Sequence, residues 1–193
     1  MKILVYGAGV LGCNLARNLF RAGKNVTLLA RGKWAEEIKK NGLRIKDKFS
    51  LRVSLSRIPV TTELKPEAPY DVIFVVMRYT QLDTIMDTLR ASRAKNIIFV
   101  GNNVRAEATA AALPEKNVLF AFASSAGHRE SDRVASVDLK KNHHRAAFRC
   151  TLQRRADRGD FQQHEVQGGL RAQHGGLSAV PRGVRAAGGL CLL

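Results

Sequence analysis

Three glycines near the start of the chain have the spacing with which a backbone binds phosphate. The motif Gly7-x-Gly9-x-x-Gly12 directly follows the apolar, β-prone residues 3–6, and apolar residues then recur at helical spacing up to Ala22. In such a strand–loop–helix, the first glycine permits a tight turn, the second lets backbone approach a pyrophosphate, and the third lets the helix lie close to the strand. The pattern predicts a dinucleotide site, with a purely structural turn as the alternative. Its residues are Gly7, Ala8, Gly9, Val10, Leu11 and Gly12.

The end of the next predicted strand indicates which dinucleotide would bind. Residues 26–30 read as a buried strand, and Arg31, Gly32 and Lys33 follow it. An NAD site usually places Asp or Glu there for the ribose hydroxyls, whereas this chain has two cations that suit a 2′-phosphate. Arg31 offers a bidentate fork for that group. The sequence therefore predicts NADP, and an ordinary solvated arginine on a basic protein is the alternative.

Polar residues follow one predicted buried strand after another. Arg78 and Gln81 come after residues 70–76, and Asn102 comes after residues 96–100. Open α/β sheets bind ligands beyond the carboxyl ends of their strands, so these side chains should face the same edge as the glycine loop. The alternation of strands and helices predicts an α/β fold, a Rossmann-like, doubly wound and mostly parallel sheet.

Other segments complete this predicted domain. The pattern predicts a helix over residues 34–41, a half-exposed hairpin of 43–45 and 51–55, a helix over 81–90, and a buried strand over 117–122. A loop with Ser125 and His128 follows. These two residues suggest no catalytic pair, and the mouth of the cofactor site is the more plausible place for His128.

A compositional break divides the chain near Asn142. Residues 142–193 contain no Lys, Ile or Tyr but 8 of the 16 Gly, and they show no sustained period of 3.6 or 2. We expect residues 1–141 to form the NADP-binding domain and 142–193 to be an Arg/Gly-rich tail. Codons that can encode this tail also encode Lys, Ile and Tyr, the missing residue types, when they are read one nucleotide later. A frame change is therefore one interpretation of this tail, and a disordered extension is the other.

The glycine loop, Ala30-Arg31-Gly32, the turn from Arg78 to Gln81 and Asn102-Asn103 together resemble the N-terminal domain of the ketopantoate reductase (2-dehydropantoate 2-reductase) family. The resemblance covers about residues 1–141. It implies NADPH, hydride transfer to a small 2-oxo acid substrate, a place in pantothenate biosynthesis, and a second, helical domain that closes over the nicotinamide.

The resemblance also implies roles for particular residues. Arg31 matches the family's 2′-phosphate-binding Arg, and Asn102 matches its Asn near nicotinamide and substrate. Arg78 stands where the family usually has Lys, and Asn103 replaces the usual Gly. The catalytic Lys of the family belongs to the helical domain, which residues 142–193 do not match, so the catalytic residues of this chain are unknown.

Composition argues against other classes of protein. No apolar run approaches 18 residues, so neither a transmembrane helix nor a membrane partner is expected. Cys13, Cys150 and Cys191 are scattered without metal or redox spacing, which favours the reducing cytoplasm and no metal site. The net charge of +16 would suit nucleic acid, but the cations form no dense run with interleaved aromatic residues. No specific nucleic-acid partner is therefore expected.

The sequence thus predicts the NADP(H)-binding domain of a ketopantoate reductase-like oxidoreductase, truncated and inactive as this chain. A non-catalytic NADP-binding module or a decayed gene product is the first alternative, and a basic nucleic-acid-binding protein is the second. Without the helical domain, apolar surface on the sheet edge and its helices would stay uncovered, so self-association is also expected.

Overall fold

The computed structural model describes residues 1–123, 125–138, 148–155 and 161–167, and strands and helices alternate along its first half. The strands are β1 (Lys2–Tyr6), β2 (Asn25–Leu29), β3 (Leu43–Asp47), β4 (Val53–Ser56), β5 (Val60–Thr61), β6 (Val72–Val75), β7 (Asn96–Val100), β8 (Asn117–Ala123), β9 (Ser125–Arg129), β10 (Val134–Asp138), β11 (Phe148–Arg155) and β12 (Phe161–Gln167). The helices are α1 (Val10–Arg21), α2 (Gly32–Asn41), α3 (Met86–Ala91) and α4 (Ala106–Ala111).

Six neighbouring strands form a parallel sheet in the order β8-β7-β6-β1-β2-β5. The chain moves outward from β1 in one direction through β2 and in the other through β6, β7 and β8. The carboxyl ends of β1 and β6 therefore flank the point where the strand order reverses, which is where such sheets bind ligands. The predicted Rossmann-like, doubly wound sheet is confirmed.

The parallel strands are buried on both faces because helices cover both sides. In β1, Ile3 and Val5 pack in one apolar cluster with α1 and α2, while Leu4 and Tyr6 pack in a second with α3 and α4. Each fully buried aliphatic side chain contributes about 1.5–3 kcal/mol relative to exposure. Burial of these short apolar runs therefore stabilises the parallel sheet.

A second sheet, in the order β4-β3-β10-β9, packs against α1. The predicted hairpin is confirmed as β3 and β4, which pair antiparallel. The loop expected at Ser125 and His128 is wrong, because both residues lie in β9, which pairs antiparallel with β10. Gly127 permits this close pairing, since a Cβ there would lie 2.2 Å from the Ala135 carbonyl oxygen.

The helix predicted over residues 81–90 is shorter than expected. Two single 3₁₀ turns, Tyr79–Gln81 and Asp83–Ile85, precede α3. Thr84 Oγ1 donates to the Gln81 carbonyl oxygen at 2.7 Å, a local side-chain bond that competes with helix hydrogen bonding. The Leu82 and Ile85 N–H groups donate to carbonyl oxygens three residues earlier, and the α-helix begins at Met86.

Two segments of the predicted tail are described, and both are strands. β11 pairs antiparallel with β8, and β12 pairs antiparallel with β11, so they extend the main sheet. The expected break near Asn142 and the rest of residues 142–193 lie outside the described residues. The frame change and the disordered extension therefore stay predictions. Over the part of the chain that the structure describes, no helix has the length and apolarity needed to cross a membrane.

Candidate functional site

The glycine loop between β1 and α1 uses its three glycines differently. Gly7 has φ +118°, and a Cβ there would lie 2.4 Å from the Val76 carbonyl oxygen. A Cβ on Gly12 would lie 1.8 Å from the Gly7 carbonyl oxygen, so only glycine lets α1 approach the loop this closely. Around Gly9, by contrast, no heavy atom of the described chain lies within 4 Å of a Cβ position. Internal packing thus explains Gly7 and Gly12 and leaves a surface open at Gly9.

The start of α1 is open to an anion. Gly9 is its N-cap, no side chain caps the helix within the described residues, and its first turn contains no acidic residue. The first N–H groups of a helix have no partner inside it and lie at the positive end of its dipole. This uncapped turn therefore offers backbone donors at the carboxyl edge of the sheet, and Gly9 itself is exposed.

Two side chains hold the glycine loop in place through one carbonyl group. Trp34 Nε1 donates to the Ala8 carbonyl oxygen at 3.0 Å, and Cys13 Sγ donates to the same oxygen at 3.4 Å. The Arg129 guanidinium carbon lies 5.5 Å from the Trp34 ring centroid, so β9 braces this contact. The loop is therefore fixed before any ligand arrives.

Arg31 lies beside the glycine loop, immediately after β2 and Ala30. It is exposed, and its Nη2 donates to Tyr6 Oη at 2.7 Å. Its guanidinium carbon also lies 5.8 Å from the Tyr6 ring centroid. Since one N–H serves Tyr6, the other donors of the fork remain for an anion. Lys33 is exposed nearby on α2.

A shallow depression lies at the ends of β6 and β7. Its lining comprises Val75, Met77, Tyr79, Leu82, Phe99, Val100, Gly101, Asn102 and Asn103. Asn102 is exposed, whereas Asn103 Nδ2 donates to the Ala121 carbonyl oxygen at 3.4 Å. Of these two asparagines, Asn102 is therefore the one whose side-chain amide is exposed at this edge.

The turn after β6 places two more predicted residues at the same edge. The Gln81 backbone N–H donates to the Arg78 carbonyl oxygen at 2.9 Å, and both side chains are exposed. Strands β2, β1, β6 and β7 run parallel, so their carboxyl ends share one edge of the sheet. The residues at that edge are Arg31, the glycine loop, Arg78, Gln81 and Asn102.

His128 and Cys13 are also candidate reactive side chains, and the structure supports neither role. His128 Nε2 lies 3.5 Å from Glu130 Oε1 on the second sheet and does not line the depression. Burial raises the pKa of the Cys13 thiol to about 12, so the helix start does not activate it. Among the described residues, no group of three or more His, Cys, Asp or Glu is placed to hold a metal ion.

Sequence reasoning missed Tyr6 and Trp34 as parts of the site. A tyrosine at the last position of an otherwise aliphatic buried strand was a signal, because its hydroxyl needs a partner. The bond from Trp34 to Ala8 spans 26 residues and has no local sequence signature.

Comparison with known proteins places this geometry among reductases. The family model for ketopantoate reductase PanE/ApbA matches residues 3–154. A 2-dehydropantoate 2-reductase of Pyrococcus horikoshii is 32% identical over 85 residues, which are 44% of this chain and 27% of that protein.

Solved structures share the fold. The crystal structure of 2-dehydropantoate 2-reductase from Methylococcus capsulatus matches with a TM-score of 0.60 and 23% identity, over 70% of this chain and 45% of that one. D-mandelate dehydrogenase, solved with NADH and anilino(oxo)acetate, matches with a TM-score of 0.59 and 19% identity, over 70% and 45%. The chain covers less than half the length of each of these relatives. Because the family match spans well over half of the sequence, the chain belongs to the ketopantoate reductase PanE/ApbA family.

Proposed function

We propose that residues 1–141 are the NADP(H)-binding domain of an oxidoreductase that reduces a small 2-oxo acid. The observation that carries this proposal is the contrast within the glycine loop. Gly7 and Gly12 are required by internal contacts, but nothing in the described chain contacts a Cβ position at Gly9. A glycine there is explained by a ligand whose pyrophosphate approaches the backbone at the uncapped start of α1.

Arg31 supports NADP rather than NAD. It is exposed directly after β2, where an NAD site would carry an acidic residue, and residues 30–33 contain none. The fold alone does not choose the cofactor, because D-mandelate dehydrogenase shares it and is solved with NADH. The choice therefore depends on the guanidinium, which pairs well with a phosphate dianion.

The remaining polar residues suit the reactive end of the cofactor and the substrate. When bound, the reduced nicotinamide supplies the hydride. Asn102 lies exposed at the depression and can donate a hydrogen bond to a carbonyl or carboxylate oxygen. Arg78 and Gln81, exposed at the adjacent turn, offer a cation and an amide to the anionic groups of cofactor or substrate.

We propose further that this chain binds cofactor without turning over a substrate. The described residues that line the depression include no Lys or His that could protonate a developing alkoxide. In the relatives the matched part is less than half of the protein, and a frame change is our interpretation of residues 142–193. Resequencing the gene around the codon of Asn142 tests that interpretation. A non-catalytic NADP-binding module is the alternative.

Exposed apolar residues favour self-association. Phe49, Leu51, Val53 and Leu55 are all more than half exposed on the β3–β4 hairpin. Concentration-dependent sedimentation is the expected behaviour of such a patch, and a constant monomer at all concentrations would contradict it.

Calorimetry on Arg31→Ala tests the cofactor assignment. Removing the guanidinium should weaken NADPH binding by about 1.5–3 kcal/mol, the range for a hydrogen bond to a charged group. NADH binding should change by less than about twofold, because NADH has no 2′-phosphate. Arg21→Ala, at the far end of α1, is the matched control and should change neither affinity. Equal losses for both nucleotides, or no loss for NADPH, would contradict the assignment.

A further inference from the structure

Tyr6 is a buried polar residue with one specific partner. It is the last residue of β1, it is 3% exposed, and its ring packs in the apolar cluster beneath α3 and α4. Its neighbours Leu4 and Val5 on the same strand are aliphatic, so burial alone would be served by another aliphatic side chain. The hydroxyl instead accepts the hydrogen bond from Arg31 Nη2.

We propose that Tyr6 is a positioning residue that sets the preference for NADPH over NADH by holding the Arg31 guanidinium beside the glycine loop. This inference rests on the proposed NADP(H) function. Arg31 is exposed and would otherwise sample many rotamers, and ordering it only on binding would weaken affinity. The hydrogen bond of 2.7 Å to the buried hydroxyl restricts these rotamers.

The hydrogen bond to Tyr6 leaves the Arg31 guanidinium able to bind a phosphate. Tyr6 Oη occupies one N–H of Nη2, and an arginine side chain has five such donors in a planar fork. The remaining edge can still pair with phosphate oxygens in a bidentate manner. Because Tyr6 acts through Arg31, its effect should be confined to the nucleotide that carries a 2′-phosphate.

A double-mutant cycle tests this role. Tyr6→Phe keeps the ring in the core and removes the hydroxyl. It should weaken NADPH binding about three- to tenfold, as expected for one net hydrogen bond, and change NADH binding by less than about twofold. In the Arg31→Ala background, Tyr6→Phe should have no further effect on NADPH. Tyr70→Phe is the matched control, since Tyr70 packs against the same cluster near the amino end of β6.

The cycle separates this inference from the proposed function. If Arg31→Ala lowers only NADPH affinity but Tyr6→Phe does not, the positioning role is wrong and the NADP assignment stands. If Arg31→Ala leaves NADPH affinity unchanged, the NADP assignment itself fails. A Tyr6→Phe effect that is equal for both nucleotides, or that persists in Arg31→Ala, would show a merely structural role and overturn the inference.

A second measurement does not depend on nucleotide. Side-chain ¹⁵N relaxation of the Arg31 guanidinium in the free protein should show greater mobility in Tyr6→Phe than in the wild type or Tyr70→Phe. Unchanged mobility would contradict the proposal.

Discussion

Gly9 and Gly12 differ in what an added methyl group would meet, and this difference separates binding from folding. A Cβ at Gly12 would lie 1.8 Å from the Gly7 carbonyl oxygen, whereas one at Gly9 meets no atom of the described chain within 4 Å. The φ of Gly9 is −76°, which alanine also adopts. Internal packing therefore accounts for Gly12 but not for Gly9, which we propose serves the ligand.

Two alanine substitutions test this separation. Gly12→Ala should lower the free energy of unfolding by the upper part of the roughly 1–3 kcal/mol that overpacking costs, or more. Gly9→Ala should change it by less than about 1 kcal/mol yet weaken NADPH and NADH alike by about tenfold or more, equivalent to 1.4 kcal/mol. Urea unfolding and calorimetry measure the two effects. A Gly9→Ala variant that binds both nucleotides normally would remove the main argument for the site.

Cys13 lies near the start of α1, where the pKa of a thiol can be lowered, but burial has the larger effect on its pKa. Burial raises its pKa to about 12, and the side chain is fully buried. In a Cys150→Ser/Cys191→Ser background, a thiol reagent at pH 8 should label Cys13 only as fast as the protein opens. Fast labelling of the native protein would contradict the buried, neutral thiol.

The same shift makes a prediction about stability. Above the ordinary cysteine pKa of about 8.5, the unfolded thiol loses its proton while the native thiol keeps it. The Cys13 contribution to stability is thus fully present below that pH and declines as pH rises toward 12. Cys13→Ser should flatten this decline in the unfolding free energy, and an unchanged slope would count against it.

At the scale of elements, α1 is held between two sheets. Asn14 Nδ2 donates to the Val10 carbonyl oxygen at 3.0 Å, and Ser136 Oγ of β10 donates to Asn14 Oδ1 at 3.1 Å. Both side chains are buried. The second sheet therefore holds the first turn of α1, the helix that we propose binds phosphate.

Asn14→Ala should lower the free energy of unfolding by about 1–3 kcal/mol, because it leaves the buried Ser136 hydroxyl without its acceptor. Adding Ser136→Ala should then cost less than it does in the wild type, with a coupling of about 1 kcal/mol. Urea unfolding of the four proteins measures this coupling. Strictly additive effects would show that the two side chains do not interact.

The parallel sheet was predictable because its strands are continuous apolar runs, such as residues 3–6 and 96–100, with glycine or polar residues after them. The strand ends that hold Arg31 and Asn102 followed from the same pattern. β9 and β10 were not predictable, because Ser125–Arg129 is small and polar, and β10 pairs with β3 across about ninety residues of sequence, as in Val134 with Ile45. The contacts of Tyr6 and Trp34 likewise depend on tertiary folding.

At the scale of the whole molecule, our proposal is a chain that binds the cofactor but does not turn over a substrate. General acid catalysis is typically worth about 10²–10⁴-fold, and the described lining of the depression supplies no Lys or His. Purified 193-residue protein with NADPH and ketopantoate should oxidise the nicotinamide no faster than a protein-free control. Steady turnover of about 1 s⁻¹, abolished by Asn102→Ala, would show that a working acid is present.

The central claim, a site selective for NADPH, is tested most directly by titrating the wild-type chain with NADPH and NADH. Trp34 is the single tryptophan of the sequence and is hydrogen-bonded to the glycine loop, so its fluorescence reports on binding there. The account predicts saturable quenching by both nucleotides, with NADPH bound about tenfold or more tightly, consistent with the 1.5–3 kcal/mol of a charged hydrogen bond. Equal affinities for the two nucleotides, or no saturable binding of either, would contradict it.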